Sequence, residues 1–171
     1  MYLKSLSLKK KIALVTGAGK GIGRASAIAL AEAGADLIIL SRTEKDLIKV
    51  KKEINKLKRK CEFYVCDLFD FDQITDVFSN INRLDILVNN AGTNIPEFFN
   101  KIKKEDMDYM VDLNLKASFH VAQLASRKMS KSKNRKTNGG SIINMSSQLG
   151  KVGAPNRSTY YLVPQLCPVS Y

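Results

Sequence analysis

Residues 16–23 read Thr16-Gly17-Ala18-Gly19-Lys20-Gly21-Ile22-Gly23. They join a wholly apolar tetrapeptide, Ile12-Ala13-Leu14-Val15, to a segment of helical pattern, Ile22 to Ala33, that Gly34 ends. A strand, a glycine-rich turn and a helix in that order put backbone N–H groups at a helix N-terminus, where the pyrophosphate of a dinucleotide can rest. Glycine at 17, 21 and 23 lets the backbone turn tightly and approach a phosphate with no Cβ in the way. The spacing is G-x3-G-x-G; the commoner G-x-G-x-x-G would need glycine at 22, where this chain has isoleucine. Taken alone, such a turn also fits a purely structural strand-to-helix connection.

The flanking pattern decides between the two. Leu37-Ile38-Ile39-Leu40 is a second apolar strand, and Thr43 or Ser41 is placed to cap the helix that follows, in which Leu47, Val50, Ile54 and Leu57 recur at helical spacing. Phe63-Tyr64-Val65 gives a third strand, Phe71 to Ile81 a helix, and Asp85-Ile86-Leu87-Val88 a fourth strand. A long helical stretch from about Lys104 to Met129 precedes a fifth strand, Ser141 to Met145. Strands that alternate with helices and are apolar on both faces predict an α/β fold: a doubly wound parallel sheet covered on both sides.

Length and composition agree with one domain: 171 residues, 44% of them hydrophobic, suffice for a sizeable core. The balance of 28 Lys+Arg against 16 Asp+Glu leaves +12. Much of that excess lies in Lys49 to Lys60, the polar side of the predicted amphipathic helix, and in Arg127 to Lys136, a polar stretch before Asn138-Gly139-Gly140. Neither run carries interleaved aromatics for base stacking, so no specific nucleic-acid partner is expected. Cys61, Cys66 and Cys167, with the lone His120, have no metal-ligand spacing, and no metal site is expected. Cys61 and Cys66 should point to opposite faces of a strand and stay unpaired, as in a reduced cytoplasmic compartment. The apolar run after the basic N-terminus is too short for a signal segment or membrane span.

Three further motifs join the glycine turn: Asn89-Asn90-Ala91-Gly92 after the fourth strand, Asn114 in Asp112-Leu113-Asn114-Leu115, and Ser147 in Ile143-Asn144-Met145-Ser146-Ser147. With T-G-x-x-x-G-x-G, and in this order, they resemble the short-chain dehydrogenase/reductase family over about residues 8 to 160. The resemblance implies a Rossmann fold that binds a nicotinamide dinucleotide and interconverts a carbonyl and a secondary alcohol. It assigns cofactor contacts to Thr16, Gly17, Gly19, Lys20, Gly21, Ile22, Gly23, Asn90, Ala91 and Gly92. Asp67 matches the family's adenine-binding acid, although it also stands where it could cap a helix near Phe69. The second strand ends Leu40-Ser41-Arg42, with no carboxylate to hold ribose hydroxyls. Arg42, with Lys20, therefore predicts NADP(H) ahead of NAD(H).

The catalytic set implied by the resemblance is Asn114, Ser147 and Tyr160, the last thirteen residues after the serine. Ser147 would hydrogen-bond the substrate oxygen, Tyr160 would transfer its proton, and Asn114 would position a water of the proton relay; the alternatives are that Ser146 and Ser147 merely end a strand and that Asn114 is an exposed polar residue of its helix. A free phenol titrates near pH 10, and a neighbouring ammonium lowers that value. In the family the ammonium belongs to a lysine four residues after the tyrosine; here that position is Pro164. Pro164 and Pro168 fall where the family's next helix runs, at a cost of about 3 kcal/mol for an interior proline.

The expected organisation is thus an NAD(P)-binding Rossmann domain over residues 1–160, incomplete and truncated after the fifth strand, with a divergent tail over 161–171. A frame shift, an alternative splice or a truncated gene model would each produce such a tail. The expected partner is a small carbonyl or alcohol substrate of the 3-oxoacyl-thioester or sugar-acid type. The full-length form is expected to be a homo-oligomer, and this chain to be inactive; a non-catalytic dinucleotide-binding or regulatory protein is the alternative.

Overall fold

The computed structural model describes residues 6–131, 139–152 and 154–160. Strands β1 (Ile12–Thr16), β2 (Asp36–Ser41), β3 (Cys61–Val65), β4 (Ile86–Asn89) and β5 (Ser141–Asn144) form one sheet in the order β3-β2-β1-β4-β5. Every pairing is parallel. Helices α1 (Gly21–Glu32), α2 (Glu44–Lys56), α3 (Phe71–Asn80), α4 (Lys104–Val111) and α5 (Ser118–Ser130) make the crossovers.

Alternation along the strands separates two cores. Ala13, Val15, Leu37 and Ile39 pack with Ala27 and Ala31 of α1 and with Leu47, Val50 and Ile54 of α2. Leu14, Ile38, Leu40 and Leu87 face the other way, onto Ile74 and Phe78 of α3 and Val121 and Ala125 of α5. The central strands β1, β2 and β4 are accordingly buried along nearly their whole length. Their period-2 geometry gives each apolar residue a core on whichever side it points. The doubly wound parallel sheet predicted from the sequence is therefore the fold.

Local predictions hold unevenly. Gly34 does end α1, its N–H donating to Ala31 O at 2.9 Å. Thr43 occupies the N-cap position of α2 but makes no side-chain cap bond. Ser41 does not cap the helix either; its Oγ accepts from Thr43 N at 3.3 Å. Leu57 is not on the buried stripe: α2 stops at Lys56, so Leu57 is carried past the last turn and is 38% exposed. Strand β3 is not apolar on both sides, because it is an outer strand with one neighbour. At the opposite edge β5 pairs only with β4, and Ile142 and Ile143 are 38% and 47% exposed.

The long helix from Lys104 is continuous but not uniform. Between α4 and α5, residues Asp112–Ala117 form a π-helical segment. Such a segment widens one turn and changes which side chains share a face.

The start of the sheet is pinned by Asp85, which is buried. Its Oδ2 accepts the Ile12 N–H at 2.9 Å, and its Oδ1 takes the Arg83 guanidinium at 3.0 Å. One carboxylate thereby ties the beginning of β1 to the beginning of β4 and fixes their register. The two strands then end together, where the site lies.

Cys61 and Cys66 are both buried and unpaired, one in each core. Burial pushes the Cys61 thiol up to about 12 and the Cys66 thiol up to about 11. At pH 8 both therefore stay as unreactive thiols in the native state. Peptide mapping after brief treatment with a thiol-labelling reagent at that pH should leave 61 and 66 unmodified until urea is added. Rapid native labelling at either position would contradict the burial.

Candidate functional site

Strand order reverses between β1 and β4: β2 and β3 lie beyond β1, and β5 lies beyond β4. The chain leaves the two adjacent strand ends in opposite directions, which opens a crevice at their carboxyl ends. A cleft of about 540 Å³ occupies this place, floored by Gly17 to Ile22 and walled by Leu40 to Thr43, Cys66 to Leu68 and Asn90 to Gly92. A second hollow of about 290 Å³ shares Ile22, Asn90, Ala91 and Gly92 with it and continues to Asn94, Asn114, Ser146 and Tyr160. The two form one elongated groove with a bend at the Asn90-Ala91-Gly92 backbone.

The bend is clamped by hydrogen bonds. The wholly buried Thr16 hydroxyl accepts from Asn90 N and Ala91 N, both at 3.0 Å, and lies 3.4 Å from Asn89 Oδ1, to which it donates. In return the Asn90 amide donates to Thr16 O at 3.0 Å. Asn89 extends the clamp sideways, donating to Ser118 O at 2.7 Å and to Asn144 Oδ1 at 3.2 Å. Sequence reasoning placed Asn89 and Asn144 within motifs but gave neither a role in the site. The available signal was an asparagine ending each of two strands, which the sheet register pairs directly.

The glycine turn meets the requirements of a phosphate cradle. Gly17 has φ +64, a conformation that strains any residue with a Cβ. Gly23 sits so close to the incoming loop that a Cβ would stand 2.3 Å from Gly17 O and 2.5 Å from the Asn90 amide nitrogen. Only glycine lets helix α1 pack there. The first turn of α1 contains no acidic residue, and Lys20 precedes it without a side-chain cap bond. The partial positive charge of the helix N-terminus is thus left for an external anion.

At the far end of the cleft, Arg42 is exposed and its Nη1 donates to the Tyr109 hydroxyl at 3.2 Å. Asp67 lines the same wall; its Oδ1 accepts from Phe69 N at 3.2 Å. The cap of α3 is Asp70, which accepts from Asp72 N and Gln73 N, so Asp67 is not the helix cap. Asp46, on the first turn of α2, also lines the cleft and faces Lys49 at 3.7 Å. No motif or spacing in the chain singles Asp46 out.

The other hollow gathers two of the three expected catalytic residues, Asn114 and Tyr160. Asn114 stands in the π segment and grips the loop after Gly92, accepting from Thr93 N and donating to Thr93 O, each at 2.8 Å. Tyr160 is half-buried and is the last described residue. Ser146 lines the hollow, whereas the Ser147 hydroxyl accepts from Leu149 N at 3.2 Å and caps the short turn Gln148–Gly150. Pro164 and the tail lie outside the described residues, as does half of the basic stretch from Arg127 to Lys136. Among the described residues there is no cluster of metal-ligating side chains, and no helix is long and apolar enough to cross a membrane.

Comparison with known proteins agrees with this fold. The model of the short chain dehydrogenase family matches residues 11–161. The chain is 36% identical over 159 residues to the 3-oxoacyl-(acyl-carrier-protein) reductase FabG of Thermotoga maritima, covering 91% of this chain and 63% of that protein. It is equally 36% identical over 155 residues to the L-xylulose reductase of Mesocricetus auratus, covering 91% and 60% respectively. Among solved structures, a short-chain type dehydrogenase/reductase from Mycobacterium marinum superposes with a TM-score of 0.85 at 31% identity, over 94% of this chain and 66% of that one. An NAD+-bound xylitol dehydrogenase superposes at 0.82 and 29% identity, over 92% and 60%. The chain therefore spans less than two thirds of the length of these relatives.

Replacing Thr16 by valine keeps its shape and removes the acceptor shared by Asn90 N and Ala91 N. Urea denaturation should show a loss of about 1–3 kcal/mol, the usual penalty for stranding buried donors. Unchanged stability would mean that these contacts do not hold the bend.

Proposed function

Because the chain belongs to the short-chain dehydrogenase family, we propose that its whole protein is an NADP(H)-dependent oxidoreductase that interconverts a carbonyl and a secondary alcohol. The observation that carries this reading is the groove itself. It joins an anion cradle at Gly17–Ile22, a cationic wall at Arg42 and a polar end at Asn114, Ser146 and Tyr160. The residues fit a dinucleotide. Gly17, Gly19 and Gly21 line the cleft where the pyrophosphate would rest, Gly23 lets α1 pack behind them, Asp67 is placed for the adenine, and Arg42 with Lys20 supplies positive charge for a 2′-phosphate.

The nicotinamide, when bound, supplies or accepts the hydride. Tyr160 gives the substrate oxygen its proton in reduction and takes it back in oxidation, while Ser147 donates a hydrogen bond to that oxygen. The Ser147 hydroxyl keeps its proton for this bond, since Leu149 N only donates to it, but it stands outside the lining of the hollow and must turn toward it, whereas Ser146 already lines it. Asn114 has its side chain committed to Thr93, so its part is to fix the wall of the hollow and, in the implied relay, to place a water. The relatives include both a 3-oxoacyl-thioester reductase and sugar reductases, and the substrate is of one of these types.

A second reading has its own support. Position 164 is proline, so the ammonium that would assist Tyr160 has no counterpart at the expected spacing. This chain is then a dinucleotide-binding protein without turnover. The whole protein pairs with copies of itself through the long helix, a reading supported by Phe119, which is 69% exposed on α5. A reduced cytoplasmic setting is supported by the free thiols of Cys61 and Cys66. No specific nucleic-acid or membrane partner is proposed.

Calorimetry should show tighter binding of NADP+ than NAD+, and Arg42→Ala should reduce NADP+ affinity by about ten- to a hundredfold, the range for a hydrogen-bonded charge. Equal affinities in the wild type would remove the case for NADP(H). With NADPH and a 3-oxoacyl thioester or a ketose, no turnover is expected. A rate near ordinary enzyme values, about 1–10³ s⁻¹, would show that Tyr160 works without the lysine.

A further inference from the structure

The contact between Arg42 and Tyr109 joins residues 67 positions apart in sequence and lies at the cationic end of the groove. Arg42 follows β2 and lines the cleft. Tyr109 comes from α4 and is itself held in place. Its ring lies against Phe69, with centroids 4.5 Å apart and planes at 36°, and it packs on the core shared by α3 and α5. A long, exposed arginine samples many rotamers, and each must be given up when it grips a ligand. A phenol anchored on the core removes part of that freedom in advance.

We propose that Tyr109 is a positioning residue that holds the Arg42 guanidinium ready for the 2′-phosphate of a dinucleotide, and so helps set the choice of cofactor. This rests on the assignment of Arg42 to the 2′-phosphate made above. The geometry suits that role, because the hydroxyl accepts from Nη1 alone and leaves Nε and Nη2 to meet phosphate oxygens as a fork. The other charges on this wall are Lys20, Asp46 and Asp67, and Asp46 is offset by Lys49. Arg42 is thus the cation whose direction a neutral neighbour controls. The Tyr109 phenol does so without adding a charge that would compete for the phosphate.

Tyr109→Phe keeps the ring on Phe69 and removes only the hydroxyl. Calorimetric titration with NADP+ and NAD+ should show NADP+ affinity lowered about three- to tenfold with NAD+ affinity unchanged, the scale of a typical net hydrogen bond, because Arg42 itself keeps its charge. In an Arg42→Ala background the same change should have no further effect, since Tyr109 acts through Arg42. Three results would overturn the proposal: no change in NADP+ affinity, an equal loss for both cofactors, or a loss that persists without Arg42. If Arg42→Ala still abolishes the preference in the first case, the assignment of Arg42 stands alone. A wild-type chain with no preference for NADP+ would instead refute that assignment, and this inference with it.

Discussion

The buried hydroxyl of Thr16 is the contact on which the geometry of the site depends. Strands β1 and β4 are neighbours, and beyond their ends the chain must turn in opposite directions, leaving backbone donors with no strand partner. Thr16 Oγ1 takes two of them, from Asn90 and Ala91, and the Asn90 amide returns a bond to Thr16 O. The glycine turn and the Asn90-Ala91-Gly92 turn therefore behave as one rigid body. That rigidity is what makes the absence of a Cβ at Gly23 obligatory: its nearest neighbours are Gly17 O and the Asn90 amide, neither of which can move away. The cradle is thus defined from outside by a loop 73 residues downstream.

From this junction the site spreads along the sheet by further asparagines. Asn89 carries the connection to Asn144 on β5 and to Ser118 on α5, and Asn114 carries it to Thr93. Each of these side chains satisfies backbone or amide groups that would otherwise be stranded at strand ends. The π segment Asp112–Ala117 belongs to the same arrangement, because it delivers Asn114 toward Thr93 while Leu113 and Ala117 remain in the core. A regular helix gives the i and i+4 positions one face, and the wider turn changes that phase.

The two edges of the sheet differ in kind. At β3 the chain has charged and half-buried residues, as an outer strand usually does. At β5 the pattern is apolar yet open, with Ile142, Ile143 and Met145 all more than a third exposed. The chain covers only 60–63% of the two curated relatives compared with it, and the apolar β5 edge adjoins the side of the sheet on which the hollow with Tyr160 lies. The larger cleft of the groove is built from the turns that follow β1, β2, β3 and β4.

Periodicity and turn chemistry in the sequence determined the strands, the helices, the doubly wound sheet and the glycine cradle, because each rests on local spacing. Alternation buries residues on both sides of a strand, and glycine marks where a backbone must turn or be approached. Local reasoning did not resolve where each helix starts or stops to within a residue: whether Thr43 caps, whether Leu57 is covered, and which acid near Phe69 holds the helix. Only the tertiary structure put Tyr109 against Arg42, brought Ser146 to the hollow with Asn114 and Tyr160, and joined Asn89 to Asn144. The physical reason is that a hydrogen bond requires an approach of about 3 Å, and no spacing rule along a chain fixes that distance between residues that only the folded sheet brings together.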